Sequence, residues 1–97
     1  MNTCYILYSF AFDTFYIGCT QEDVSIRLAK HNAKTYGSKY TSFTNDWILY
    51  HCIDCESFQQ AVNIERHIKR MKSKTYLQNL KRYPEISEKL LIKYRSV

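Results

Sequence analysis

Two runs of aromatic and branched residues, Cys4–Ser9 and Thr14–Cys19, are joined by four residues, and that spacing constrains the fold more than any other feature of the chain. Such side chains suit a pleated, half-buried surface, so both runs read as strands. The connection Phe10-Ala11-Phe12-Asp13 is short and carries one turn former, which makes the pair a β-hairpin. Alternation sets Tyr5, Leu7 and Ser9 apart from Cys4, Ile6 and Tyr8 on the first strand. On the second it sets Tyr16 and Gly18 apart from Phe15, Ile17 and Cys19. Gly18 is one of only two glycines, and a glycine in a strand marks a bulge or a close approach to the backbone. Tyr16 is well placed to meet that approach. The simplest account has the tyrosines packing a small core and the glycine making a bulge.

At 97 residues the chain is expected to form one domain, a core over about 2–72 followed by C-terminal helices over about 73–95. One proline and two glycines leave little room for disorder. Fourteen Lys and Arg against nine Asp and Glu give a formal charge of +5, a bias that suits a polyanionic partner without demanding one. No apolar run is long enough to cross a bilayer, and the N-terminus lacks the layout of a signal peptide, so a soluble cytoplasmic protein is expected. The four cysteines are then reduced. Cys52-x-x-Cys55 resembles half a zinc site, but no second close pair completes it, so buried thiols on strands are the default.

After the hairpin, Thr20 is a capping candidate for a helix over about 21–33, with acids in its first turn. Helical spacing puts Val24, Leu28 and His31 on one side, with Arg27 at its edge. Taken singly, Arg27 reads as a surface arginine and His31 as a core histidine. Residues 34–46 have the polarity of a loop, long for so small a domain, in which Lys39 and Tyr40 set a cation beside a ring. That pairing serves phosphate contact and base stacking. Trp47–Ile53 reads as a buried third strand.

Ser57 and Gln60 form a capping box that opens a helix over Phe58–Met71. Its apolar stripe is Phe58, Ala61, Val62, Ile64, Ile68 and Met71, and Glu65 falls inside that arc. A carboxylate on a buried face must be hydrogen-bonded, paired or bound to a cation. A neighbouring lysine or Arg27 could pair it, or a metal could occupy it. Arg66, His67, Lys69, Arg70, Lys72 and Lys74 make the adjacent edge basic, where a phosphate could lie. A short helix over about 75–81 and a last one over 85–94, with Pro84 at its first position, complete the chain.

Tyr5, then Tyr16 and Gly18, then Arg27 and His31, then Glu65, in that order and spacing, resemble the GIY-YIG nuclease family. Tyr16-Ile17-Gly18 keeps the second half of the name, whereas Thr3-Cys4-Tyr5 keeps only the tyrosine of the first. The likeness covers about residues 2–72 and looks closest to small stand-alone bacterial members related to the nuclease domain of the UvrC repair protein. It implies an α/β (α+β) fold, a three-stranded antiparallel sheet flanked by helices. By the same resemblance Glu65 holds a divalent metal, Tyr16 is the general base or its close partner, and Tyr5 positions water or phosphate. Arg27 neutralises charge on the phosphoryl oxygens, and His31 hydrogen-bonds within the site. Gly18, Lys39, Tyr40, Lys69 and Lys72 are the candidate nucleic-acid contacts. Asn79 is the nearest asparagine after the metal-ligand helix, where the family often has one.

These residue types suit phosphodiester hydrolysis. Charge grows on the phosphoryl oxygens, and a cation with a fixed guanidinium supplies the main stabilisation. Arginine meets a phosphate with two parallel hydrogen bonds. Tyrosine, with an ordinary pKa of about 10, needs a neighbour to lower it or share its proton. One carboxylate with waters and phosphate oxygens is how magnesium is usually held, so Mg²⁺ is expected, with Mn²⁺ as a substitute. The implied activity is a metal-dependent DNA endonuclease. The alternatives are a nucleic-acid-binding module of the same fold that does not cut, and a nuclease subunit that needs a partner. Single-stranded, duplex or branched DNA, or RNA, all remain open as substrates, as does the oligomeric state.

Overall fold

The computed structural model describes residues 1–34 and 40–95. The strands are β1 (Asn2–Ser9), β2 (Thr14–Thr20) and β3 (Trp47–Cys55), and the helices are α1 (Val24–Asn32), α2 (Phe58–Met71), α3 (Lys74–Arg82) and α4 (Pro84–Lys93). The sheet is antiparallel in the order β2-β1-β3, the α+β arrangement expected. The hairpin reverses at Asp13, whose φ of 45° is left-handed, a conformation that aspartate tolerates. Tyr8 donates to its carboxylate at 2.7 Å and Lys74 to its carbonyl at 2.9 Å, holding the turn.

Because β1 is central, both its faces are covered, and alternation sorts its side chains into two clusters. Cys4 and Ile6 join Ile53 and, from the helices, Ile64, Ile68, Leu77, Leu80 and Leu90. Burying each such aliphatic side chain contributes about 1.5–3 kcal/mol, so this is the main stabilising layer. Tyr5 and Leu7 join Trp47 on the opposite face, against Tyr16, Val24 and Leu28. Helix α1 thus covers one face and α2–α4 the other.

Capping explains the helix ends. Ser57 Oγ accepts from Gln60 N at 3.1 Å, as the capping box requires, and α2 closes at Lys72 with φ 48°. The Gln60 amide instead accepts from Glu56 N at 2.7 Å and donates to the Leu91 carbonyl at 2.8 Å, tying α4 to α2 from a fully buried position. Ser73 caps α3 and Pro84 opens α4.

Several expectations change. Thr20 does not cap α1: its hydroxyl accepts from Glu22 N at 3.0 Å, and Asp23 caps the helix through Ser25 N at 2.8 Å, so the helix begins after the acids. β3 is an edge strand rather than a buried one; Ile48 and Leu49 are exposed, and only Trp47 and Ile53 are buried. Phe58 and Met71, at the two ends of the α2 stripe, are exposed as well. The bulge lies not at Gly18 but in the β1–β3 pairing, where Ile6 faces His51 and Leu7 faces Leu49, leaving Tyr50 as the extra residue. Of the four free cysteines only Cys4 is buried, and Cys52 is exposed. Lys39 and Gly37 lie outside the described residues. Among the described residues no helix is long and apolar enough to cross a membrane.

Candidate active site

Side chains from β1, β2 and α1 meet at the Tyr5 hydroxyl. Tyr5 is fully buried, and its ring lies over Gly18, its partner in the neighbouring strand. A β-carbon at Gly18 would stand 2.7 Å from Tyr5 Oη and 3.0 Å from Tyr16 Cε2, so the glycine serves a close approach. Arg27 Nε donates to Tyr5 Oη at 3.4 Å, and His31 Nε2 lies 2.9 Å from the same oxygen. The spacing of Arg27 and His31 on α1 delivers both to one point.

His31 is buried, and its Nδ1 lies 3.0 Å from Thr41 Oγ1. Burial first, and the Arg27 charge second, hold its pKa below the ordinary value, which favours the neutral ring. Thr41 is anchored in turn: its carbonyl accepts from Trp47 Nε1 at 3.0 Å. Asn32 clasps the Trp47 backbone, accepting from its N at 2.8 Å and donating to its O at 2.9 Å. Thr41 and Asn32 are supports the sequence does not reveal, because polar residues in a loop and at a helix end carry no pattern that tells a packed support from a solvated one; Trp47 reads there only as the start of a strand.

Tyr16 is half-buried, with its ring centroid 5.0 Å from that of His31 and 6.3 Å from that of Tyr5. Burial raises its pKa; the Lys69 and Arg27 charges pull the other way, and Glu65 and Cys19 add to the rise. The net direction is opposite to what a general base needs. Tyr16 lines a cleft of about 570 Å³ with Phe15, Ile17, Tyr40 and Lys69.

Glu65 approaches from the other side of the sheet. Cys19 pairs with Cys4 and so faces α2, whereas Tyr16 and Gly18 pair with Leu7 and Tyr5 and face α1. Cys19 stands beside Glu65; burial first, then the neighbouring carboxylate, push its thiol up to about 12. Lys69 Nζ, one turn along α2, pairs with Glu65 at 3.3 Å, and the carboxylate side chain is 18% exposed. The lysine-paired reading of Glu65 is therefore realised, and Arg27 is instead directed at Tyr5. The two halves communicate around β2, an outer strand of the sheet: Lys69 shares a cleft with Tyr16, and Arg27 shares one of about 530 Å³ with Cys19, Thr20 and Phe58.

The basic edge of α2 divides. Lys69 faces the Tyr16 cleft and Lys72 is exposed at the helix end, whereas Lys74 pairs with Asp13 at 3.1 Å. His67 Nδ1 and Arg70 Nη2 turn to Tyr94 Oη on α4, at 2.8 and 3.4 Å. Tyr40 is exposed at the cleft, and Asn79 sits on α3, its carbonyl accepting from Tyr83 N at 2.8 Å.

Among the described residues no three His, Cys, Asp or Glu side chains converge as a metal cage. A single partly exposed carboxylate fits a hard divalent ion whose remaining ligands are waters and phosphate oxygens.

Comparison with curated proteins and with solved structures returns no significant match. The model of the GIY-YIG catalytic domain matches residues 1–80. Domains of this kind are typically nucleases that act on nucleic acid, and they generally use divalent metals. A match that starts at Met1 and runs into α3, past Glu65 and Lys72, makes the chain a member of the GIY-YIG catalytic-domain family.

Proposed function

We propose that the chain is a metal-dependent endonuclease that hydrolyses phosphodiester bonds in DNA, acting as one domain over residues 1–97. The observation that carries this reading is the meeting of Arg27 and His31 on the Tyr5 hydroxyl, beside Tyr16, on a strand whose far side reaches Glu65. Arg27 stabilises charge on the phosphoryl oxygens, and its contact with Tyr5 fixes the guanidinium against the sheet. Neutral His31, held by Thr41, orients the Tyr5 hydroxyl toward water or phosphate. Tyr16 Oη, once its own proton has passed to solvent, takes the proton of the attacking water; the Lys69 and Arg27 charges favour that phenolate against the effect of burial. Glu65 is the residue to hold the divalent ion, Mg²⁺ or Mn²⁺, which when bound supplies positive charge to the scissile phosphate. Gly18 admits the close approach of both tyrosines. Tyr40, Lys69 and Lys72, with Lys39, contact the strand.

A second reading, a binding module that does not cut, draws on two observations: Glu65 is paired with Lys69, and burial holds the Tyr16 phenol protonated. One assay separates the two. Labelled single-stranded, duplex and branched DNA, and RNA, are incubated with Mg²⁺, Mn²⁺ or EDTA and with wild type or Glu65→Ala. Metal-dependent products that disappear in the variant support the nuclease. Salt-sensitive binding without products in any metal sinks it in favour of the binding module.

A further inference from the structure

Outside the site, a row of aromatic rings runs from the hairpin turn to the Tyr16 cleft. Phe12 meets Phe43 edge-to-face at 4.9 Å, Phe43 meets Trp47 at 5.6 Å, and Trp47 meets Tyr16 at 6.4 Å. Phe12 is 54% exposed and Phe43 43% exposed, although each is large and apolar. Both lie on irregular segments, one on the β1–β2 turn and the other before β3. Nothing among the described residues covers these two rings, and unlike a singly exposed side chain they form a packed aromatic pair open to a ligand.

We infer that Phe12 and Phe43 form a stacking site for an unpaired nucleobase of a strand whose backbone enters the cleft at Tyr16. The inference rests on the nuclease reading for the position of that strand. Three observations favour a base over another apolar ligand. Through buried Trp47 the Phe43 ring is tied to Tyr16, which lines the cleft that holds Lys69, so a strand with a phosphate in that cleft can lay a neighbouring nucleotide against the exposed rings. The exposed groups are aromatic, offering π faces to which any base can stack regardless of sequence. Ammonium groups stand at both ends of the row, Lys69 in the cleft and Lys74 at the Asp13 turn. A paired duplex buries its base faces, so the site selects unpaired nucleotides.

The test is binding in EDTA, where nothing is cut, read by fluorescence anisotropy of labelled 12-mers: oligothymidylate, the same length of abasic backbone, and a duplex. Trp47, the only tryptophan, touches Phe43 and supplies an intrinsic fluorescence signal. Phe12→Ala is expected to weaken oligothymidylate binding by about five- to a hundredfold, the range seen for loss of one stacked base. Phe12→Tyr is expected to restore it, with abasic and duplex binding unchanged in both. Thermal melts check that the variants fold, and Phe43→Leu gives an independent second variant. Equal losses for all three ligands, or no loss in either variant, overturn the site, as does a change in oligomeric state on Phe12→Ala, which would assign the rings to a second copy of the chain. If wild type cuts nothing while Phe12→Ala still discriminates, the nuclease reading fails and the base site stands. If cutting is confirmed and the variants bind like wild type, the base site fails and the nuclease stands.

Discussion

The Tyr5 ring occupies the space that a side chain at Gly18 would need: a β-carbon there would meet Oη at 2.7 Å and Cζ at 2.8 Å. Both atoms belong to a fully buried ring held by Arg27 and His31, so neither can move aside cheaply. Gly18→Ala should therefore displace the hydroxyl and strain the hairpin, costing about 1–3 kcal/mol by overpacking. A thermal melt would register the strain, and cleavage should fall more steeply than folding. A variant that melts and cuts like wild type would contradict the close packing.

Tyr16 carries a pKa raised by burial. If its oxygen takes a proton from water, it must first lose its own, so activity should rise with pH through neutrality and keep rising past the ordinary phenol value of about 10. Tyr16→Phe should lower turnover by about a hundred- to ten-thousandfold and flatten that rise, while binding in EDTA holds. A wild-type profile whose rise instead has its midpoint below the ordinary imidazole value of about 6.5 would shift the base role to His31.

Three histidines, His31, His51 and His67, all have pKa values lowered chiefly by burial. Their unfolded counterparts take up protons near pH 6.5, where the folded rings are still neutral. The unfolded state then binds more protons, and stability falls as pH drops through that value and flattens below the folded pKa values. Urea unfolding at pH 8 and at pH 5.5 should show the decrease, and His31→Gln should make it shallower. A slope unchanged by that substitution would mean that His31 is not held neutral.

Lys69 is paired with Glu65 and also lines the Tyr16 cleft. Its removal acts in opposite directions on the two proposed ligands. Lys69→Met should reduce the Mg²⁺ concentration needed for half-maximal cleavage, because the ammonium no longer competes for the carboxylate. The same change should raise KM for DNA and reduce the salt dependence of binding by about one charge. A parallel weakening of both would argue that Lys69 only orders the helix.

What the chain reveals before folding depends on the range of each interaction. The span Phe58–Met71 is legible to the residue because Ser57 and Gln60 state its start locally. Arg27, His31 and Glu65 can be placed on helices by periodicity, and the hairpin by its two runs. The meaning of Gly18 is not local: whether it bulges or yields to a neighbour depends on the ring that register sets opposite it. Gln60 reads as a capping-box glutamine, yet its amide donates to a carbonyl 31 positions away from a fully buried position. The edge position of β3, which leaves Ile48 and Leu49 exposed, is decided by strand order.

The extra residue in β3 governs which side of the sheet its first half faces. Cys52 pairs with Tyr5, and past Tyr50 it is Leu49 and Trp47 that pair with Leu7 and Ser9, so even and odd positions share the α1 face on either side of the bulge. Tyr50 itself packs on the opposite layer. The extra residue therefore absorbs one count of the pleat. Deleting Tyr50 would leave His51 and Leu49 as regular neighbours opposite Ile6 and Leu7 and keep the Trp47 indole on the α1 face, whereas deleting two residues there would send it to the wrong layer, and with it the anchor that presents Thr41 to His31. The strand should tolerate the loss of its extra residue but not of a second, and the reading frame of the pleat, as much as any single side chain, keeps the His31 ring in place.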